Sequence, residues 1–579
     1  MSMKGIVGKV AVILVVLVMG SRDVRACGGF FCRTVPMNQA YERILFVSDG
    51  EVVTTHVQIE YSGSAPDFAW LLPVPSLPEL KVSHNEIFNQ LGFATQPNFV
   101  LNWDEEGECN LFWQVRFTAA EGAVDDADGG VQVVSEERVG PYDTAIITAD
   151  DPQAISTWLF DNGYNLDALG VELLRPYVDG GFYFVALKLA PDREVGDLQP
   201  LALTYAAENP GIPIKLTAVA TQPDMGVMAW VLGSSRAIPK NYLHVQINEA
   251  RIDWFNGGFN YPEVVTEAAN EAGGQAFATD YAGPSSIMAD RLYREGQYDL
   301  DRLRLHKDPV DFLDDMLRQG FPRDNQMQAL IRRHIPMSQT VLEPGVLAIV
   351  FRGDQKAYDL AVADSTLQAT AERSFYNNME SYREYLTDFV FDAGAFADDL
   401  NAVIIEPLRA AQNLLGDHPY LTRLFTTLSA DEMTVDPMFA FNPDLPDVSN
   451  IRTADARLEC PEGDPNEINF EEIVLVVTLK DGREIRSFPY KNRPPGPTLF
   501  RSAAAVVEQM DTAGDPVLVR GLAQANPDFD GSGTVDFDDF VMFAGAYGQK
   551  NSEFDLTGDG AVDFSDFIVF ARSYGGNAN

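Results

Sequence analysis

The residues best placed to do chemistry lie near the end of the sequence, where two stretches repeat with a 27-residue period: DFDGSGTVDFDDFVMFAGAYG and DLTGDGAVDFSDFIVFARSYG. Calcium takes six to eight hard oxygen ligands, and a twelve-residue loop can deliver them from positions 1, 3, 5, 7, 9 and 12. In the first copy these positions hold Asp528, Asp530, Ser532, Thr534 (through its carbonyl), Asp536 and Asp539. In the second they hold Asp555, Thr557, Asp559, Ala561 (again through its carbonyl), Asp563 and Asp566. Gly533 and Gly560 stand at position 6, where the loop turns sharply and a side chain would obstruct it. Val535 and Val562 stand at position 8, where a β-branched residue can pair the two loops. Two calcium ions with a structural role are the expectation, because carboxylates gathered this closely repel one another without a cation.

The elements that must position these ligands are helices leaving each loop. Phe540, Phe543, Ala544 and Tyr547 form one apolar stripe, Phe567, Phe570, Ala571 and Tyr574 the other, and Gly548 and Gly575 end them. No entering helix precedes either loop, since Asn526-Pro527 and Asn551-Ser552-Glu553 are turn-like. This loop–helix duplication, with Asp at position 12, resembles the dockerin type I family. The resemblance implies a cohesin-like protein as partner, recognised through polar residues early in the exit helix. Here those places read Phe537-Asp538 and Phe564-Ser565, which departs from the family's pattern. Docking on an envelope protein or on the protein's own body is the alternative.

The whole chain has 579 residues, 85 acidic against 42 basic, and a formal net charge of -43. Such a surface repels phosphate backbones and anionic lipid, which excludes nucleic acid as an expected partner. Lys4 and Lys9, the apolar run Ala11 to Met19 and Val24-Arg25-Ala26 read as a secretory signal peptide over 1–26. The apolar run is short for a membrane span, and the mature chain is expected to have none. The protein is therefore expected to be secreted, periplasmic or envelope-associated, with lipid attachment at Cys27 as an open alternative. Cys27, Cys32, Cys109 and Cys460 allow three disulfide connectivities, of which Cys27–Cys32 and Cys109–Cys460 is the expected one.

Between residues 27 and 497 the pattern is that of an α+β body: a large mixed antiparallel-sheet and helix unit, with room for two subdomains. Arg43–Val47 and Val53–Tyr61 read as strands around Ser48-Asp49-Gly50, with His56 on the solvated face. Further strands are expected over Phe68–Leu72, Gly181–Leu189, Ile214–Thr221 and Met225–Leu232. Ile473–Leu479 and Glu484–Phe488 flank Lys480-Asp481-Gly482-Arg483, a hairpin signal. Asp151-Pro152 and Asp308-Pro309 begin helices, and Phe375, Met379, Tyr382, Leu386 and Phe389 step through one longer helix. A short helix and linker is expected over 498–525, followed by a small all-α module of two calcium loop–helix repeats over 526–579.

The body carries no HExxH and no GxSxG, and no catalytic residue is expected from its sequence. Glu105, Glu106 and Glu108 are acidic among many acids, and Trp254 to Tyr261 reads as a turn-rich loop with partly buried rings. Ala26 to Cys32 (ACGGFFC), Gln39 to Ile44 (QAYERI), Trp70 to Pro75 (WLLPVP), Val139 to Asp143 (VGPYD), Trp158 to Tyr164 and Leu421 to Met433 together resemble the DUF2330 family of exported bacterial proteins. The resemblance implies export and brings no chemistry with it. The expected function is a non-enzymatic exported or envelope-associated binding or structural protein displayed through a calcium-stabilised module. A secreted hydrolase, directed at polysaccharide, is the alternative.

Overall fold

The computed structural model describes residues 39–59, 69–103, 132–162, 168–191, 193, 197–218, 221–337, 342–364, 366–459, 473–487, 504–521, 527, 529, 535–549, 554, 556 and 562–575. All four cysteines, the signal-peptide reading and Glu105, Glu106 and Glu108 lie outside these residues. Among the described residues no helix is long and apolar enough to cross a membrane.

A ten-stranded mixed sheet organises the body. From one edge to the other it runs Val517–Arg520, Ala505–Gln509, Leu243–Ile247, Ala276–Pro284, Tyr420–Leu428, Thr221–Gly233, Gln39–Asp49, Val52–Val57, Leu201–Ala206, Glu79–Val82. Gln39–Asp49 pairs parallel to Thr221–Gly233, and Leu243–Ile247 parallel to Ala276–Pro284; the other neighbours are antiparallel. Because alternate residues face opposite sides of a strand, the sheet has two cores. Leu45, Val47, Trp230 and Val245 pack against helices such as Asn85–Thr95, Pro309–Arg318 and Glu406–Asp417. Ile44, Phe46, Ala229 and Val231 pack against a four-stranded sheet ordered Ala69–Val74, Tyr183–Leu189, Tyr142–Thr148, Gln132–Val139. That smaller sheet is covered in turn by the helices Pro152–Asp161 and Ala168–Asp179. A second four-stranded sheet, Glu484–Ser487, Val474–Thr478, Ile451–Glu459, Asn98–Trp103, encloses Phe99, Trp254 and Leu475. The α+β expectation for the body agrees with this architecture.

Local signals account for several elements. Asp151 caps its helix by accepting from Gln153 N, Asp308 does the same for Val310 N, and proline follows each at the first turn. Val474–Thr478 and Glu484–Ser487 pair antiparallel across the Lys480-Asp481-Gly482-Arg483 turn, where Gly482 takes a positive φ of 86°. The VGPYD segment is a hairpin in which Val139 pairs with Tyr142 across Gly140-Pro141. Gly140 has φ of 58°, and a Cβ there would stand 2.2 Å from Val82 Cγ1, so turn conformation and close approach both require glycine. Tyr142 closes the motif by accepting from Gln199 N at 2.8 Å.

Four expectations are corrected. His56 is 5% exposed rather than solvated, because Val52–Val57 is an interior strand with both faces covered. Ile214–Thr217 is a helical turn, and the following strand is a single long one, Thr221–Gly233. The stripe from Phe375 is buried through Leu386, but its helix ends at Asn377 and continues as a 3-10 segment, Met379–Tyr385. Residues 504–521, expected in a short helix and linker, hold a β-hairpin on the main sheet instead. Ala505 and Val507 point into the helix-side core, and that two-residue period outweighs the helical propensity of the alanines.

Candidate functional site

A cavity of about 560 Å³ opens beside the Leu243–Ile247 and Ala276–Pro284 strands. The segment 446–453 and the 480–483 turn close over it; its polar wall includes Arg236, His244, Thr279 and Arg452, with the carboxylates Glu249, Asp447 and Asp481 also lining it. Sheet register explains why these groups meet. His244 stands directly across from Glu508 in the antiparallel pair, and across from Phe277 in the parallel one, so Thr279 is its diagonal neighbour on the same face.

The result is a continuous hydrogen-bonded line. Glu508 Oε2 is 3.1 Å from His244 Nδ1, and His244 Nε2 is 3.0 Å from Thr279 Oγ1. Gln246 Nε2 holds the other carboxylate oxygen, Glu508 Oε1, at 2.9 Å. Burial lowers the His244 pKa, only partly opposed by its bond to Glu508. Burial acts to raise Glu508, but the bond to His244 and the nearby positive charges bring it below the usual carboxylate value. Neutral imidazole beside carboxylate fixes the tautomer: Nδ1–H donates to Glu508, leaving Nε2 to accept from the threonine hydroxyl.

Arg236, from the short strand Arg236–Pro239, is the second feature of the wall. It is 6% exposed; Nη1 donates to Pro446 O at 3.1 Å and Nη2 to Thr279 Oγ1 at 3.4 Å. Among the described residues its Nε has no hydrogen-bond partner, and no carboxylate stands within ion-pair distance of it. Arg452 does have one, Glu249 Oε1 at 3.4 Å, and Arg483 is held by Asp481 and by Asn248 Oδ1 at 2.7 Å. Burial lowers the Arg236 pKa, and Tyr420, Glu508 and Asp447 oppose that shift through space.

A β-bulge behind the cavity holds the strand that carries Thr279. Asp280 is inserted between Thr279 and Tyr281 and leaves the register with Tyr420–Leu428. Its buried carboxylate meets Arg423 Nε at 2.8 Å and accepts the Tyr261 hydroxyl, while the Arg423 guanidinium lies 5.7 Å from the Trp230 ring.

The residues that sequence alone singled out are elsewhere. Of the twelve calcium-ligand positions, Asp528, Asp530, Ser532, Thr534, Asp555, Thr557, Asp559 and Ala561 lie outside the described residues. Asp536, Asp539, Asp563 and Asp566 are described, and each pair sits at the entrance to one of the helices Phe537–Ala546 and Phe564–Ser573. Asp539 and Asp566 are fully buried. Asp539 accepts from Phe529 N at 2.7 Å and Asp536 N at 2.8 Å, and Asp566 accepts from Asp563 N at 2.7 Å. The two copies also bind each other reciprocally: Gly548 N donates to Val562 O and Gly575 N to Val535 O, both at 2.7 Å. Among the described residues no group of three or more His, Cys, Asp or Glu side chains is arranged to hold a metal. The donors that are described fit a hard cation: four carboxylates, two of them buried, in a stretch from 526 with ten acidic residues against Lys550 and Arg572.

Two motif segments also converge in the body. Glu42 of QAYERI is buried, and burial, then the charge of Asp436, pushes its pKa up to about 7. Asp436, in the sequel to Leu421–Met433, accepts from the Tyr177 hydroxyl at 2.9 Å and Lys215 N at 3.1 Å. Trp254 is buried and stacks edge-on against Phe99 at 5.2 Å, so the aromatic loop beside it is mainly structural.

No curated protein and no solved structure matches the chain. Residues 24–294, which supply Arg236, His244 and Thr279 but not Glu508, match the family described as "Uncharacterized protein conserved in bacteria (DUF2330)", and this part of the body is similar to that family.

Proposed function

We propose that the protein is an exported or envelope-associated binding protein whose body takes a ligand bearing an anionic group, and whose C-terminal repeat is a dockerin-like module stabilised by two calcium ions. The observation that carries the first half is Arg236: a buried guanidinium without a carboxylate partner among the described residues, in a chain with 85 acidic side chains. Glu508 and Asp447 act on it only from beyond ion-pair distance. A carboxylate or phosphate on a ligand would complete the site, with Arg452 beside it.

The calcium ions are assigned to the loops Asp528–Asp539 and Asp555–Asp566, and would supply charge compensation and cross-linking rather than catalysis. What supports this is the loop spacing and the cross-bonded arrangement of the two copies. Phe537 and Phe564, 62% and 63% exposed, occupy equivalent places on the two helices. They suit an apolar contact with a cohesin-like or envelope partner.

Isothermal titration of the full chain with succinate, inorganic phosphate and sulfate tests the anion reading. One of these is expected to bind, and Arg236→Gln to weaken it about ten- to a hundredfold, the loss of one charge-assisted hydrogen bond. Equal binding by wild type and variant would remove Arg236 from the site, and no binding by any anion would remove the reading.

A further inference from the structure

The proposed anion sits beside a hydroxyl that is already aligned with a base. Thr279 Oγ1, His244 Nε2, His244 Nδ1 and Glu508 Oε2 follow one another at 3.0 Å and 3.1 Å, and Gln246 fixes the far oxygen of the carboxylate. This is the spatial order of nucleophile, general base and orienting acid, recognised by geometry rather than by order in the chain. A buried threonine bonded to histidine also occurs as an ordinary satisfied pair. Two observations separate this line from that case: both residues line an open cavity, and the same hydroxyl receives Arg236 Nη2 at 3.4 Å.

We propose that Thr279, His244 and Glu508 form an acyl-transfer relay, and that the cavity hydrolyses an ester whose acyl part carries a carboxylate or phosphate held by Arg236 and Arg452. The substrate class rests on the anionic-ligand reading; the relay itself does not. Thr279 Oγ1 adds to the ester carbonyl carbon while its proton passes to His244 Nε2, and the carbonyl electron pair moves onto oxygen. Glu508 keeps the Nδ1 proton in place and stabilises the imidazolium. Collapse re-forms the carbonyl, breaks the bond to the leaving oxygen, and returns the proton from Nε2 to the departing alcohol. Water then adds to the acyl-threonine by the same proton path, so ester and water give acid and alcohol.

The test uses the full chain with two chromogenic esters, the 4-nitrophenyl monoester of succinic acid and 4-nitrophenyl acetate. Wild type is expected to release nitrophenolate from the succinyl ester, and mass spectrometry of the quenched protein to place a succinyl group on the Thr279 peptide. Thr279→Ala is expected to fall to background and Thr279→Ser to retain turnover. Glu508→Gln, which perturbs the imidazole without removing the nucleophile, is expected to lower kcat about 100- to 10,000-fold. Melting temperatures near wild type for the three variants would show that folding is not the cause. Succinate binding with no turnover of either ester would overturn the relay while leaving the anion reading intact. Turnover of both esters at equal kcat/KM without succinate binding would keep the relay and overturn the substrate class. Turnover undiminished in Thr279→Ala would overturn the relay outright.

Discussion

The C-terminal repeat and the cavity each supply charged residues to a proposed site, but they draw them from the sequence on opposite scales. Every proposed calcium ligand of one loop falls within twelve consecutive residues, Asp528 to Asp539, whereas His244 and Glu508 are 264 residues apart. If the two loops hold calcium as proposed, the cation offsets the repulsion among their acidic groups and the repeat depends on its solution. The cavity draws its geometry from hydrogen-bonded strand register and from a buried ion pair, which makes it independent of any ion outside the protein.

That difference yields an ordered set of expected outcomes. The largest follows chelation. EDTA is expected to abolish amide protection in Phe537–Ala546 and Phe564–Ser573 while leaving Leu243–Ile247 protected, measured by hydrogen exchange on the full chain. Equal loss in both regions would mean that they share one folding unit. Next in size, Asp280→Ala strands the Arg423 guanidinium and is expected to cost about 3–5 kcal/mol. Denaturant titration should register it, with calcium affinity unaltered; a loss below about 1 kcal/mol would show that the bulge does not depend on the pair.

The pH response of the body sharpens the contrast further. Glu42 is pushed up from 4.5 to about 7 by burial and then by Asp436. Between those values the folded state keeps a proton that the unfolded state has released, so stability falls as pH rises through the window. Glu42→Gln is expected to remove a loss on the order of 3 kcal/mol, at about 1.4 kcal/mol per pKa unit, and so to raise the urea midpoint at pH 8 but hardly at pH 4.5. A variant whose advantage is the same at both pH values would show that Glu42 does not titrate there. His56, lowered to about 4 by burial, has the opposite sign: its contribution is present above 6.5 and lost as pH falls towards 4. The smallest effect is a cap: Asp151→Ala is expected to cost about 1 kcal/mol, seen as a modest drop in melting temperature, and to touch neither site. No measurable change would mean that Gln153 N finds water as an equal partner.

The same difference of scale governs what could be read in the sequence. Helix caps at Asp151 and Asp308 and the Lys480–Arg483 turn were legible because the chemistry that decides them lies within a few residues. The 504–521 hairpin was not, because its alternation is short and its partner strand, Leu243–Ile247, is remote. His56 looked solvated because alternation reveals a strand's two faces but not whether a second layer covers the polar one. The cavity residues gave fainter signals still. His244 and Gln246 occupy the polar phase of LHVQI, as on any surface strand, and Thr279-Asp280 is unremarkable until the bulge separates the two. Nothing in the local pattern shows that Glu508 lies across from His244.

The edge hairpin has a mechanical consequence. Ala505–Gln509 carries Glu508 and is the last strand of the main sheet to pair with the core strands before the chain proceeds to the C-terminal repeat. If the repeat is an anchor, tension between anchor and body reaches this hairpin first. Pulled from its end, Val517–Arg520 and then Ala505–Gln509 would unzip one hydrogen bond at a time, the weakest loading direction for an antiparallel pair. The first event to touch the cavity would be withdrawal of Glu508 from His244, with the remaining sheet still intact. Optical-trap pulling from residue 579 should therefore show a small, low-force extension before the main rupture, and a single high-force event would show that the hairpin is not the first to yield.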